Sequence, residues 1–268
     1  MTRVLVTGGT GVLGSDVVRA LQARGATVRI LSHRPAPPVL PPDAEWARAN
    51  LIGEDDRLAT ALQGVDTVVH CASRPTRPAD DVAGARQLLA AARAAGVRHL
   101  VSISIVGIDP LGFFDYYHAK REVEELLPGG GVPYSLLRAT QFHDFVAYLL
   151  ALLTRGPLQL LPRDVILQPV QVEAVAARLA DAALAPPTGR GSDLAGPEVR
   201  SLRDLAHAWR HATGRHALPL SVPLRNPMFR AMRGGQVTNP AAERAGETWE
   251  AWLAQHAGEP SRYARARG

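Results

Sequence analysis

The stretch Val4-Leu5-Val6-Thr7-Gly8-Gly9-Thr10-Gly11-Val12-Leu13-Gly14 constrains this chain more than any other. Val4 to Val6 is a short apolar run with strand character, and helical spacing begins directly after the glycines, with Val17, Val18 and Leu21 on one face. Strand, glycine turn and helix in that order present a helix N-terminus to a pyrophosphate. Each glycine has its own task. Gly8 permits a sharp turn, Gly11 removes the side chain that would block backbone approach to phosphate, and Gly14 allows close packing of helix on strand. The bland alternative is a glycine-rich turn with no ligand. The strand before it and the helix after it favour the binding reading.

Composition narrows the class. The chain has 268 residues, 46% hydrophobic and 21% charged, which suits one large globular domain or one domain with an annex. No apolar run is long enough to span a bilayer, and Met1-Thr2-Arg3 runs straight into the first strand, so neither a membrane segment nor a signal peptide is expected and a cytoplasmic setting follows. A single cysteine, Cys71, excludes a disulfide framework and a cysteine-based metal cluster, and no metal site is expected. The net charge of +5 comes from scattered arginines without aromatic interleaving, which argues against nucleic acid as a partner. Lys120 is the only lysine among 30 cationic Lys and Arg residues. A chain that otherwise uses arginine and keeps lysine once points to a place that needs a compact ammonium on a flexible stem.

Strand and helix patterns alternate through the first half. Thr27–Leu31 reads as a second strand, followed by Ser32-His33-Arg34 and a proline-rich loop, and Gly25 as the residue closing the helix before it. A site that prefers the unphosphorylated cofactor usually carries an acidic residue after this strand. Here Ser32, His33 and Arg34 stand instead, a set suited to a 2′-phosphate or to an ordinary polar loop. Trp46–Asn50 reads as a third strand and Asp55–Gln63 as a helix. Asp66–Cys71 reads as a fourth strand whose end, Cys71-Ala72-Ser73, leaves room for a ligand. Cys71 suits a small core position better than a nucleophile. Asp80 or Asp81 is a candidate cap for a long helix through Ala95, His99–Ile105 is a fifth strand, a helix starts at Tyr116, and Pro133–Arg138 is a sixth strand. This rhythm implies an α/β fold with a doubly wound parallel sheet, whose strand ends share one edge lined by Gly8, Ser32, Ala72 and Ser104. Residues 1–140 form the expected dinucleotide-binding core and 141–257 a smaller lobe interleaved with it. An apolar helix to about Thr154, a helix over Val172–Ala185, a helix capped by Ser201, a strand over Leu218–Val222 and a last helix over Glu243–His256 are expected there. Residues 258–268 read as a basic, frayed tail.

Tyr116 and Lys120 lie four apart, on one face of a helix. Together with Thr7-Gly8-x-x-Gly11-x-x-Gly14, this Tyr-x-x-x-Lys spacing resembles the short-chain dehydrogenases/reductases. Val101 to Asp109, Tyr116 to Glu125 and Arg138-Ala139-Thr140-Gln141-Phe142 are most similar to their atypical, NmrA-like branch, over about the first 180 residues. The resemblance implies Tyr116 as general acid/base, Lys120 on the nicotinamide ribose with its ammonium favouring the phenolate, and a Ser or Thr at the end of the fifth strand. Ser104 is the matching hydroxyl. Ile105 stands where extended members carry the second serine of a Ser-Ser pair. Cofactor contacts are expected from Gly8, Thr10, Gly11, Val12, Leu13, Gly14, Ser32, His33, Arg34, Asn50, Leu51, Cys71, Ala72, Ser73 and Lys120, and substrate contacts from Thr140, Gln141, Phe142 and His143. NADP(H) is the expected cofactor, with NAD(H) possible. Three functions stay open: a reductase of a small carbonyl, quinone or activated double bond, a non-catalytic NADP(H)-binding regulator, and a nucleotide-sugar epimerase or dehydratase. A small-molecule substrate and a monomer or homodimer are expected.

Overall fold

The structure is a computed structural model and describes residues 1–53, 55–259 and 261–265. The chain divides into two compact units. The first comprises Met1–Ser104, Gly112–Arg138 and Val175–Ser192, and the second Ile105–Leu111, Ala139–Ala174 and Asp193–Gly268.

The first unit alternates strand and helix as the hydrophobic pattern requires: β1 (Arg3–Thr7), α1 (Val12–Ala23), β2 (Thr27–Ser32), β3 (Ala44–Arg48), α2 (Arg57–Ala61), β4 (Thr67–His70), α3 (Pro78–Ala94), β5 (His99–Ile105), α4 (Asp115–Gly129) and β6 (Tyr134–Ala139). The sheet runs β6-β5-β4-β1-β2-β3, with β1 parallel to both β2 and β4. The chain therefore winds outward from β1 to β3, returns to β4 and winds the other way. The doubly wound fold is as expected, and its switch point lies between β1 and β4, where a crevice opens at the carboxyl ends of the strands. Both sheet faces are buried, so the strands are apolar without strict alternation. Leu5, Leu31, Val68, Leu100 and Leu136 pack with Leu58, Leu62, Leu88, Leu89 and Leu127 from α2, α3 and α4. Gly9 lies between Ile30 and Val18 on the opposite face. Gly25 closes α1 at φ +77 and Gly96 follows α3 at φ +71, left-handed positions that favour glycine. The last part of α6 (Val172–Leu184) also belongs to this unit, and Thr67 Oγ1 donates to the Ala183 carbonyl at 3.2 Å.

The second unit holds α5 (His143–Leu152), the start of α6, α7 (Leu202–Thr213), α8 (Pro227–Arg233), α9 (Trp249–His256) and several short strands. Ser201 caps α7, its Oγ accepting from the Asp204 N–H, and Leu218–Val222 is a strand, both as the sequence implies. Leu218–Val222 runs parallel to Leu158–Pro162. The expected helix over Glu243–His256 is shorter. Glu243–Arg244 pairs in parallel with Leu194–Ala195, and the helix begins only after Thr248, whose hydroxyl accepts from the Ala251 N–H. Gly246, at φ +80, separates the two. The proline-started helix α8 was not read from sequence. The expected frayed tail is partly ordered. Arg262–Arg265 is helical, Arg262 pairs with Glu173 at 3.1 Å, and Tyr263 stacks on Tyr148. Pro260 and residues 266–268 of that expected tail lie outside the described residues.

His143 is the buried pivot of this unit, 1% exposed, with Trp249 and Trp252 each 5.5 Å from its ring centroid and Nε2 at 3.1 Å from the Glu247 carbonyl oxygen. Burial first of all lowers its pKa, to about 4, from the ordinary 6.5. The unfolded chain therefore binds a proton that the native state refuses, and stability falls as pH drops from about 6.5 towards 4. Thermal unfolding of wild type is expected to weaken across that window, with this site contributing on the order of 3 kcal/mol at its limit. His143→Gln is expected to flatten the dependence. An unchanged pH slope in a folded His143→Gln protein contradicts this reading.

Candidate nucleotide and catalytic site

The glycine turn behaves differently at each position. Gly8 has φ +67, and a Cβ there would meet the Ala72 backbone at 2.8 Å. A Cβ on Gly14 would lie 2.1 Å from the Gly8 carbonyl oxygen. Gly11 is different: its φ of −80 suits any residue, and its Cβ would meet only the Gly8 oxygen, at 3.2 Å. Gly8 and Gly14 thus serve the turn itself, while Gly11 keeps space open in front of it. Gly11 is also the N-cap of α1, with no side-chain cap and no acidic residue in the first turn. That leaves the helix N-terminus for an external anion. Val12 and Leu13 open the helix, and Thr10 is exposed beside it.

The crevice is tied together beneath the turn by a contact that sequence reasoning missed. Thr7 Oγ1 lies 2.8 Å from Nδ1 of buried His70 and accepts from the Ala72 N–H at 3.2 Å. Burial, helped by the Lys120 charge, lowers the His70 pKa to about 3, so the imidazole is neutral. One hydroxyl thereby joins the end of β1 to the end of β4 and sets how closely Gly8 and Ala72 approach. Cys71 beside them is partly exposed, but burial of its sulfur pushes the thiol up to about 12, which removes it as a nucleophile at neutral pH.

The expected pair on α4 is joined by two residues from the β4–α3 segment. Lys120 is buried, 7% exposed, and its Nζ lies 3.7 Å from Oδ2 of Asp81, itself buried. Asp81 also accepts from Ser73 Oγ and from the Arg74 N–H, each at 2.6 Å. Ser73 Oγ stands 3.5 Å from the Tyr116 hydroxyl, and the Lys120 ammonium 5.8 Å from the centre of the Tyr116 ring. Asp81 is not the helix cap suggested by sequence. Arg77 occupies that place without a side-chain cap, Pro78 starts the helix, and Asp80 and Asp81 fall in its first turn. The signal for Asp81 is its helical position opposite Lys120, which needs the fold to be seen.

Ser104, on β5, is 5% exposed and its Oγ has no hydrogen-bond partner. The polar neighbour of Tyr116 is Ser73, on the adjacent strand end. At the ends of β2 and β3, Ser32 is in register with Arg48, Arg48 Nε donates to the His33 carbonyl at 3.4 Å, and the Arg34 N–H donates to Ser32 Oγ at 3.1 Å. Asn50 is exposed, with its side-chain carbonyl already accepting from the Ile52 N–H at 3.1 Å, and Leu51 packs beside Gly84 of α3. Thr140, Gln141, Phe142 and His143 belong to the second unit. Gln141 donates to the Val237 carbonyl at 2.8 Å, Thr140 Oγ1 accepts from the Gly196 N–H at 3.4 Å, and Phe142 bridges to Val170. His143 Nε2 is held by the Glu247 carbonyl, while its buried Nδ1 has no hydrogen-bond partner.

A dinucleotide fits what the first unit offers. The open space at Gly11, the start of α1 without a side-chain cap and the orphaned Ser104 hydroxyl are features that the folded chain itself does not use up. Among the described residues no cluster suits a metal ion, and no helix is long and apolar enough to cross a membrane.

Gly11→Val is expected to fold with near-normal thermal stability and to lose dinucleotide binding, whereas Gly14→Val, which drives a side chain into the Gly8 carbonyl, is expected to fold poorly. Cofactor titration and thermal melts check both. Normal affinity in soluble Gly11→Val would show that the glycines only make a turn.

Comparison with known proteins agrees with this geometry. Residues 8–183 match a family described as NAD(P)H-binding. A (4-alkanoyl-5-oxo-2,5-dihydrofuran-3-yl)methyl phosphate reductase of Streptomyces griseus is 32% identical over 208 residues, covering 75% of this chain and 70% of that protein. A short-chain dehydrogenase/reductase superfamily protein of Agrobacterium tumefaciens with bound NAD superposes with a TM-score of 0.73 at 22% identity, covering 98% of each chain. An NADPH-dependent quinone oxidoreductase of Escherichia coli complexed with NADPH superposes with a TM-score of 0.77 at 18% identity, covering 94% of this chain and 99% of that one. The chain belongs to the NAD(P)H-binding family.

Proposed function

We propose that this protein is an NADP(H)-dependent reductase of a small carbonyl, quinone or activated double-bond compound. The observation that carries the reading is the assembly of Tyr116, Ser73, Asp81 and the single buried lysine beside the carboxyl ends of the strands. The Streptomyces griseus relative, a reductase, supports it. Apolar side chains by the site suit a largely apolar substrate: Phe113 is 54% exposed and packs on Phe114, just ahead of Tyr116 on α4.

The bound cofactor supplies the hydride. Tyr116 supplies the proton to the oxygen or carbon that becomes basic as the hydride arrives. A phenolate left on Tyr116 is stabilised by the ammonium of Lys120, an interaction strengthened by exclusion of water. Asp81 orients Lys120 and Ser73, and Ser73, which is solvent-exposed, offers a route by which Tyr116 regains its proton. The polar residues after β2 and the absence of a carboxylate there favour a cofactor bearing a 2′-phosphate.

A non-catalytic NADP(H)-binding role is favoured by one observation: the hydroxyl next to Tyr116 is Ser73 rather than Ser104. Two variants separate the readings. Under the reductase reading Tyr116→Phe lowers turnover of a carbonyl and quinone panel by roughly 100-fold or more, with cofactor affinity retained. Lys120→Arg lowers both, because a planar guanidinium overfills the buried space beside Asp81. Lys120→Arg that weakens binding, in a wild-type background without turnover on any panel member, supports the regulator. Unaltered binding and turnover in both variants contradict the assignment of the site.

A further inference from the structure

We propose that the three-stranded sheet of the second unit docks on the surface of a bilayer rich in anionic phospholipid, its leucines entering the interface and its arginines meeting the lipid phosphates. In this sheet Leu158–Pro162 lies between Thr154–Arg155, which runs antiparallel to it, and Leu218–Val222, which runs parallel. Side chains alternate along the central strand as strand geometry requires. Gln159 and Leu161 are buried, while Leu158 and Leu160 take the other face, 38% and 42% exposed. The open face of a half-buried sheet is ordinarily polar. Here it is leucine on both parallel strands. Leu218 is in register with Leu158 and Leu220 with Leu160, and they are 60% and 39% exposed. Apolar residues scattered singly over a surface are common, but four leucines in one square form a patch.

Positive charge surrounds this face. Arg155 is the register partner of Leu158 and is exposed. Arg163 follows Pro162, and its N–H donates to the Val222 carbonyl at 2.9 Å, with exposed Arg225 a short way beyond Val222. At the other end, Arg215 and His216 lead into Leu218 and line a depression with His207, Arg210 and His211 of α7. From 205 to 242 the chain carries five arginines and no Asp or Glu, and from 145 to 163 two arginines and again no Asp or Glu. Asp164, next to Arg163, is the acidic residue that borders the central strand.

These features select the occupant. A second copy pairing through the same face would bring rows of arginine together. The four leucines also expose only on the order of 300 Å², well short of the about 800 Å² per partner that a stable interface buries. An extended peptide adding along the outer strand would meet Pro219, which has no N–H to donate. An anionic bilayer complements charge and apolar surface at once: guanidinium groups hold phosphate in two-pronged geometry while the leucines leave water. Such docking lies on the membrane and needs no spanning helix.

Co-sedimentation of the whole chain with lipid vesicles tests this, with circular dichroism confirming the fold of each variant and light scattering its oligomeric state. Wild type is expected to bind phosphatidylglycerol-rich vesicles saturably, more weakly as salt rises, and to leave pure phosphatidylcholine vesicles unbound. Leu160→Gln with Leu220→Gln, and separately Arg155→Gln with Arg225→Gln, are each expected to lose roughly tenfold or more in vesicle affinity. Arg86→Gln with Arg244→Gln, an equal loss of charge on α3 and on the Glu243–Arg244 strand, is expected to keep the affinity within about twofold. No binding by wild type, equal binding to both kinds of vesicle, or unchanged binding in the leucine variant overturns the proposal. Equal losses in the two arginine variants, the mark of a general attraction to a basic chain, overturn it too. A wild-type dimer that the leucine substitutions dissociate gives the face to a second copy and rejects the membrane.

Discussion

The site depends on one buried carboxylate. Asp81 and Lys120 are both withdrawn from water, and a buried charge survives only where it is paired and hydrogen-bonded. Asp81 meets that requirement through three groups: the ammonium, the Ser73 hydroxyl and the Arg74 N–H. Each constrains a different part of the crevice. The ammonium fixes α4 and so Tyr116. The hydroxyl sets Ser73 against Tyr116. The backbone contact shapes the start of the segment leading into α3. Removing the carboxylate would strand a buried cation, which is more damaging than losing an ordinary surface pair.

A second, neutral tie supports the first. Thr7 and His70 join β1 to β4 directly beneath the glycine turn. The close fit of Gly8 on Ala72 needs those strand ends at a set distance, and a neutral imidazole can hold them there without a charge to compensate. Arg138 and Glu124, a buried two-pronged pair at 2.6 and 2.8 Å, do the same between β6 and α4. The helix bearing Tyr116 and Lys120 is thus anchored at two points one turn apart, Lys120 and Glu124.

Much of this was legible along the chain. The glycine spacing, the Tyr116–Lys120 interval and the strand–helix rhythm are local patterns, and local patterns survive without knowledge of the fold. Asp81 was not legible as a partner of Lys120, because a carboxylate near a helix start reads equally well as a cap. Thr7 and His70 each sit in an apolar strand where a lone polar residue is unremarkable, and only strand order brings them together. Glu243–Arg244 joined to α9 in the sequence reading because nothing apolar interrupts the pattern. Gly246, in a left-handed conformation, makes the break. Among the expected substrate contacts, His143 looked free because its partners, Glu247, Trp249 and Trp252, lie more than a hundred residues away.

The presence of a single lysine makes the central claim directly measurable. In protein labelled with 13C at lysine Cε, the spectrum contains one lysine signal, that of Lys120. This signal is expected to lie away from the position of a solvated lysine, to move saturably as NADPH is added, and to move in the free protein when Asp81 is replaced by Asn. A signal at the solvated position that stays unchanged while NADPH demonstrably binds would place Lys120 outside the site and contradict the account.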